Sequence, residues 1–141
     1  MAAKAANVKG IQFHDGPAGS NNGGVAWVSF DLLATASTGG TDTVSLGAGG
    51  YDNGTATTDS LATIMQKRRR DGKTVTLTAV AGQLEPGLQA GVKLCPQAGT
   101  IGSGSITGVT LNTAATGGSS QSSTSANWDG AAMIAVSYTA V

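Results

Sequence analysis

The residues with the most obvious capacity for binding form the stretch QKRRRDGKT, which runs from Gln66 to Thr74. It holds five of the eight Lys and Arg residues of the chain, including Arg68, Arg69 and Arg70. Arginine binds carboxylates and phosphates through paired hydrogen bonds, so the run could serve a protein or a nucleic acid. It could equally be a solvated helix end, where cations interact favourably with the helix dipole.

The composition of the chain disfavours the nucleic-acid interpretation of this run. The 141 residues carry no net charge, and only 11% of them are charged. Proteins that bind nucleic acid usually have a basic excess and stacking aromatics beside the cations, and neither is present. We therefore expect no direct nucleic-acid partner. A solvated helix end and a docking surface for an acidic protein or a second subunit both remain open.

Residues for catalysis or metal binding are scarce. His14 is the only histidine and Cys95 the only cysteine, so the chain cannot build a zinc site or an internal disulfide. The sequence has no Gly-x-Ser-x-Gly motif for a nucleophile and no glycine-rich phosphate-binding motif. The sequence predicts a protein that is not an enzyme and that has no cofactor or metal.

The two tryptophans are the other candidates for a binding site. Trp128 lies in NWDG after a serine-rich stretch, where it could contact a sugar, anchor an interface or close one end of the core. Trp27 alternates with core residues in a strand, which favours core or interface. The candidate protein-interface residues are therefore Arg68, Arg69, Arg70, Trp27 and Trp128.

Alternation of apolar and small polar residues predicts a mainly β protein. In VAWVSFDL (25–32), Ala26, Val28, Phe30 and Leu32 share one face, while Val25 and Trp27 share the other. In MIAVSYTAV (133–141), Ile134, Val136, Tyr138 and Ala140 share a face. Further strands are predicted at 8–13, 43–46, 74–80 (with Val75, Leu77 and Ala79 on one face), 88–95 and 105–111.

Local signals refine this fold. Ile106 is out of phase with Val109 and Leu111, which predicts a bulge near Gly108. The link 83–87 is typical of a hairpin between 74–80 and 88–95. Apolar spacing predicts one helix at about 60–70, with Asp59 or Ser60 as its N-cap and Gly72 as its left-handed end.

We predict a jelly-roll-like β-sandwich with one short α-helix. The organisation is a flexible N-terminal arm at 1–7 and a single domain at 8–141, with a long Ser-rich loop at 112–130. The first residues show no signal-peptide run, and no window reaches the length of a membrane span. We expect a protein made in the cytoplasm with no membrane partner.

The stretches LGAGGYDNGTATTDSLATIMQKRRRDGKTVTLTAV (46–80) and MIAVSYTAV (133–141), in an Ala-, Gly-, Ser- and Thr-rich chain, resemble head decoration (cement) proteins of tailed bacteriophages. The resemblance implies a small sandwich that binds the outside of an assembled capsid and stabilises it. Its partners would be the major capsid protein and further copies of itself, as a dimer or trimer. The alternative is a carbohydrate-binding or surface-adhesion module that uses Trp128.

Overall fold

The computed structural model describes residues 3–16, 23–32, 42–84, 92–96, 101–102, 105–113 and 130–141. These residues form ten strands and one helix, which confirms the prediction of a mainly β chain with one short helix. In chain order they are β1 (Ala3–Asp15), β2 (Gly24–Leu32), β3 (Asp42–Leu46), β4 (Tyr51–Asp52), β5 (Thr55–Ala56), α1 (Leu61–Arg69), β6 (Val75–Leu84), β7 (Val92–Pro96), β8 (Ile101–Gly102), β9 (Ser105–Thr113) and β10 (Gly130–Ala140).

Six of these strands form a mixed sheet in the order β6-β10-β2-β1-β4-β5, in which β4 runs parallel to β1 and the other neighbours are antiparallel. The first residues of β1, 3–5, pair instead with β3, and the order continues through β9 to β7. The predicted hairpin across 83–87 is wrong, because β6 and β7 lie at opposite ends of the strand order. Strand β6 pairs instead with β10. The buried residues Val75 and Leu77 of β6 lie opposite the buried Ala140 and Tyr138 of β10.

The core lies on one face of the six-stranded sheet. The alternation predicted for the neighbouring strands β2 and β10 is confirmed wherever their side chains are described. The residues of these strands that face the core are at most 3% exposed. They are Ala26, Val28 and Phe30 in β2 and Ala132, Ile134, Val136, Tyr138 and Ala140 in β10. The other face of the same strands carries Val25, Trp27, Met133 and Ser137, which are half-buried.

Strand β6 departs from simple alternation. Leu77 pairs with Tyr138 and Ala79 with Ser137, so Thr78 is an extra residue in β6. A bulge of this kind shifts the faces of the residues that follow it. The expectation that Ala79 shares the buried face of Leu77 is therefore wrong, because Ala79 is exposed and Val80 packs against the core.

The bulge predicted near Gly108 is present in the pairing of β3 with β9. Leu46 pairs with Ile106 and Val44 with Val109, so β9 has one more residue than β3 between these pairs. The phase change in the sequence was therefore a reliable signal of a change in register.

Helix α1 closes part of the core. Ser60 is its N-cap, and the Ser60 hydroxyl oxygen accepts a hydrogen bond from the backbone N–H of Thr63 at 3.3 Å. Four residues of the helix are buried, and they belong to the same core cluster as the sheet residues. Each large side chain among them stabilises the fold by about 1.5–3 kcal/mol through burial. The four are Leu61, Ala62, Ile64 and Met65.

The helix ends earlier than predicted. Arg70, and not Gly72, takes the left-handed conformation at the C-cap, with φ 60° and ψ 19°, and its backbone N–H donates to the carbonyl of Gln66 at 3.3 Å. Gly72 also has a positive φ, of 75°, so the chain makes a second left-handed turn before β6 begins. The basic run therefore spans the last turn of the helix, its cap and the turn that follows.

The N-terminal region differs from the predicted flexible arm at 1–7. Strand β1 begins at Ala3, residues 3–5 pair with β3, and Ala6 and Val8 are fully buried. Residues 3–7 thus pair with neighbouring strands, and Ala6 is also buried. Of the predicted Ser-rich loop at 112–130, residues 114–129, which include Trp128, lie outside the described residues.

Gly47 allows the start of the helix to approach the end of β3. Its φ is 105°, and a Cβ atom at this position would lie only 2.7 Å from the backbone nitrogen of Leu61. Gly49 has a similar φ, of 88°, but a Cβ atom there would meet nothing within 4 Å. A side chain at either glycine would strain the backbone, but only at Gly47 would it also overlap a neighbouring atom.

We predict that Gly49→Ala lowers the free energy of unfolding by about 1 kcal/mol, from left-handed strain alone. Gly47→Ala should lower it by about 2 kcal/mol more, because the helix start must shift to relieve the overlap. Urea unfolding of both variants measures the difference. Equal losses would show that the approach of the helix to β3 is not tightly constrained.

Candidate protein-interaction site

The basic run gathers cations at the C-terminal end of α1. Lys67, Arg68 and Arg69 occupy the last turn of the helix, and Arg70 is its cap. Exposed cations at this end each stabilise a helix by about 0.3–1 kcal/mol through the helix dipole. Position alone does not decide whether these side chains serve the fold or a partner, because that depends on what each of them contacts.

Arg69 serves the fold. Its side chain is only 6% exposed, and its two terminal nitrogens donate to the two carboxylate oxygens of Asp15 at 2.8 and 3.1 Å. The same guanidinium donates to Asp71 from Nη2 at 2.8 Å and from Nε at 3.2 Å. Arg69 thus bridges the end of β1 to the turn after the helix. The sequence made Arg69 a candidate interface residue, but in the structure its N–H groups bind Asp15 and Asp71 of the same chain.

Two aromatic rings complete the surroundings of Arg69. Its guanidinium carbon lies 5.0 Å from the ring centroid of Phe13 and 5.7 Å from that of Tyr138. The two rings meet edge to face, with centroids 5.7 Å apart. The Tyr138 hydroxyl donates a hydrogen bond to Asp15. We name Arg69, Asp15, Asp71, Phe13 and Tyr138 the Arg69 cluster.

The pKa values of the cluster follow from these contacts. Hydrogen bonds from Arg69, and then from Tyr138, lower the pKa of Asp15 to about 2. Hydrogen bonds from Arg69 and from the backbone N–H of Lys73 lower the pKa of Asp71. Burial, and then the hydrogen bond to Asp15, raises the pKa of Tyr138 to about 12. The two carboxylates raise the pKa of Arg69 further above its usual value. At neutral pH the cluster holds one cation and two anions.

Arg68 also binds within the chain. Its Nη2 donates to Asp52 in β4 at 2.5 Å, and its Nη1 donates to the carbonyl of Lys9 at 2.6 Å. Val8 pairs with Phe30 and Gly10 with Ser29, so Lys9 is a bulged residue of β1. A bulge removes a residue from the ladder, and here Arg68 satisfies the carbonyl. Arg68, another candidate interface residue, is thus largely committed to the fold.

The remaining cations of the run differ in their contacts. Lys67 pairs with Asp59 at 2.5 Å, on the side of the helix that faces solvent. Lys73 lies close enough to Asp15 and Asp71 to lower the pKa of both carboxyls. Arg70 is exposed, and none of the described residues forms an ion pair or side-chain hydrogen bond with it. Of the three predicted arginines, only Arg70 extends to solvent without such a contact.

Trp27 lies on the face of the six-stranded sheet opposite the core. It pairs with Ala135 in β10, and Ala135 pairs with Gly82 in β6. A Cβ atom placed on Gly82 would lie 3.9 Å from Cη2 of Trp27 and 3.8 Å from Cβ of Ala135. The indole therefore extends across β10 towards β6, over two small residues, and Ala135 is only 3% exposed as a result.

A shallow groove of about 280 Å³ runs beside the indole. The Gly10 N–H donates to the Ser29 hydroxyl oxygen at 2.9 Å, which fixes the strands at one side of it. Its lining side chains carry no charge, and the neighbouring ion pair of Lys9 with Asp31 is at 3.4 Å and exposed. We call this feature the Trp27 groove; it is lined by Gly10, Ile11, Gln12, Trp27, Ser29 and Met133.

Residues for catalysis or metal binding are not brought together in the parts of the chain that the structure describes. His14 is exposed near the end of β1, and Cys95 belongs to β7. No three His, Cys, Asp or Glu residues among those described are grouped so that they could hold a metal ion. Among the described residues, no helix is long and apolar enough to span a membrane.

Comparison with known proteins adds no relative. No protein-family model, no curated protein and no solved structure matches this chain. Two features are therefore available for a functional proposal, namely the Trp27 groove and the exposed Arg70. The sequence pointed to Trp27 and Arg70, but nothing in it singled out Asp15 or Tyr138 as partners of Arg69.

We predict that the Arg69 cluster makes stability depend on acid pH. The folded-state pKa of Asp15 lies below its ordinary value of 3.8, so its contribution is present above that value and is lost as the pH falls towards 2. Because Asp15 is 48% exposed, we expect a contribution of only about 1 kcal/mol after solvent screening.

The difference in unfolding free energy between wild type and Asp15→Asn should therefore shrink between pH 5 and pH 2. Urea unfolding at several pH values measures it, with Asp31→Asn as the control for loss of one exposed carboxylate. A difference that stays constant over this pH range would contradict the role given to Asp15.

Proposed function

We propose that this chain is a structural virion protein of a tailed bacteriophage. It would be made in the host cytoplasm, bind the outside of the assembled capsid and stabilise the shell by bridging subunits of the major capsid protein. The resemblance of residues 46–80 and 133–141 to decoration proteins supports this proposal. The neutral, weakly charged composition is also consistent with it, because such a surface tolerates close packing in an assembly.

A jelly-roll-like sandwich is part of the proposal. Its support is the path of β1, whose residues 3–5 pair with β3 while residues 6–15 pair with β2 in the six-stranded sheet. A strand that contributes to two groups of strands can connect the two layers of a sandwich at one edge. The buried face of the sheet would then be covered by α1 and by the strands around β9.

The observation that carries the function is the Trp27 groove. The large aromatic side chain of Trp27 is half-buried on the face of the sheet opposite the core, beside Met133, and it is not part of the core cluster of the described residues. Tryptophan and methionine are enriched in protein interfaces, and tryptophan frequently dominates their binding energy. In the proposal this groove meets a neutral surface of the major capsid protein.

Repetition on the capsid would strengthen a contact of this size. The residues that line the groove are far fewer than the roughly 20–30 that each partner contributes to a stable interface, so the capsid contact would extend beyond it. Self-association as a dimer or trimer would let one particle engage several capsid sites, which raises the apparent affinity without new contacts.

The groove also supports a second candidate, a neutral glycan. The Trp27 indole extends along the sheet surface, and the exposed Gln12 lies in the same groove, so a sugar ring could contact the indole while its hydroxyls bind the amide. The sequence assigned this role to Trp128, which lies outside the described residues. A glycan array with wild type and Trp27→Ala distinguishes this candidate from capsid binding.

We predict that the purified protein binds undecorated capsids of its own source with a fixed stoichiometry and raises their resistance to heat. Trp27→Ala should weaken binding by about thirtyfold or more, since central aromatic residues contribute about 2 kcal/mol or more to an interface. Cosedimentation with capsids over a concentration series measures the affinity.

Two controls make this test specific. Thr76→Ala changes an exposed residue of β6 that pairs with Thr139, at the end of the sheet away from Met133, and should bind like wild type. The melting temperature of each variant shows whether it is folded. Failure of folded wild type to bind any such capsid would overturn the proposed function.

A further inference from the structure

The backbone at Arg70 is unfavourable for an arginine. With φ 60° and ψ 19°, the residue is in the left-handed region, where the Cβ atom crowds the following carbonyl oxygen. Helices that end in this conformation usually have glycine there, because glycine has no Cβ atom. Asn53 is the other described non-glycine residue with a positive φ, and asparagine tolerates that region well.

The ordinary reasons for a cation at a helix end are already met by other residues. Lys67, Arg68 and Arg69 supply three cations to the last turn, where they interact with the helix dipole. Arg69 also holds the turn that follows through its bonds to Asp71. The stability of this helix end therefore does not require a fourth cation at the position where glycine fits best.

The side chain of Arg70 also has no structural task that the described residues reveal. Lys67, Arg68 and Arg69 each pair with an aspartate, whereas the exposed Arg70 makes no ion pair within the described ranges. Non-glycine residues in strained backbone conformations cluster at active sites, ligand clamps and switch regions, so a strained and exposed arginine points to a binding role. The exposed guanidinium offers donors that match the two oxygens of a carboxylate.

We propose that Arg70 is a binding residue that forms a paired hydrogen bond with an Asp or Glu carboxylate of the protein to which this chain docks. This inference rests on the proposed function, and it deepens it by giving the partner a chemistry, namely an acidic side chain on the capsid surface. The Arg69 cluster then positions Arg70, because it fixes the end of α1 on which Arg70 stands.

The test separates folding from binding through one substitution. Arg70→Gly removes the strain and the side chain together, so we expect the melting temperature to rise by about 3 °C. Capsid affinity should fall by about tenfold, and the remaining binding should depend less on salt than that of wild type. A role in folding alone would instead give a lower melting temperature.

Two further variants control for charge. Arg70→Lys keeps the charge but loses the planar fork, so it should recover only part of the affinity. Lys67→Gln removes one charge from the same helix and should bind like wild type, because Lys67 is paired with Asp59. Equal losses in Lys67→Gln and Arg70→Gly would show general electrostatics and would overturn the specific role of Arg70.

The outcomes also separate this inference from the function on which it rests. If wild type binds capsids and Arg70→Gly binds them equally well, only the inference about Arg70 is overturned. If folded wild type binds no capsid, the proposed function fails, and the inference fails with it. Weaker binding of Arg70→Gly together with a higher melting temperature supports both.

Discussion

The contact on which this structure depends most is the double ion pair of Arg69 with Asp15 and Asp71. One guanidinium, 6% exposed, connects the last turn of the helix to the end of β1 and to the turn that leads into β6. Tyr138 brings β10 into the same cluster. Because the helix has only nine residues, its own hydrogen bonds would not hold it in place, and tertiary contacts must do so. Apolar packing holds its core side, and Arg69 holds its end.

The same contact changes the meaning of the basic run. Five cations in a short stretch suggest an external patch, but Lys67, Arg68 and Arg69 form ion pairs with aspartates from several segments of the chain. Only one of those aspartates, Asp71, is close in sequence to the cation that it contacts. Of the three arginines, Arg70 is the one without an ion pair among the described residues, and its backbone is in a conformation that favours glycine. The functional proposal therefore relies on one strained arginine and one half-buried tryptophan rather than on a charged surface.

The sequence predicted the features that depend on neighbouring residues. Alternation identified the buried faces of β2 and β10, apolar spacing located α1, and a break in phase located the bulge near Gly108. These signals are local because side-chain direction follows from the backbone within a few residues. The same reasoning failed at Ala79, since an extra residue at Thr78 left no mark in a Thr- and Ala-rich strand.

Features that join distant segments were not predictable. Nothing in the sequence indicates that β6 pairs with β10 rather than β7, because alternation fixes the faces of a strand but not its neighbours. The Arg69 cluster depends on that same strand order, since Asp15 and Tyr138 are far apart in the chain and meet only through the sheet. The sequence thus identified candidate residues by their type. Which of them bind within the chain and which are exposed could be seen only from the fold.

The central claim, that the basic run is first a structural element, is tested most directly by a double-mutant cycle between Arg69 and Asp15. Arg69→Met keeps an apolar side chain beside Phe13 and Tyr138, and Asp15→Asn keeps the shape of the partner. Urea unfolding of wild type, both single variants and the double variant gives the coupling energy. The structure predicts a coupling of about 1 kcal/mol or more, and additive effects, within about 0.3 kcal/mol, would contradict it.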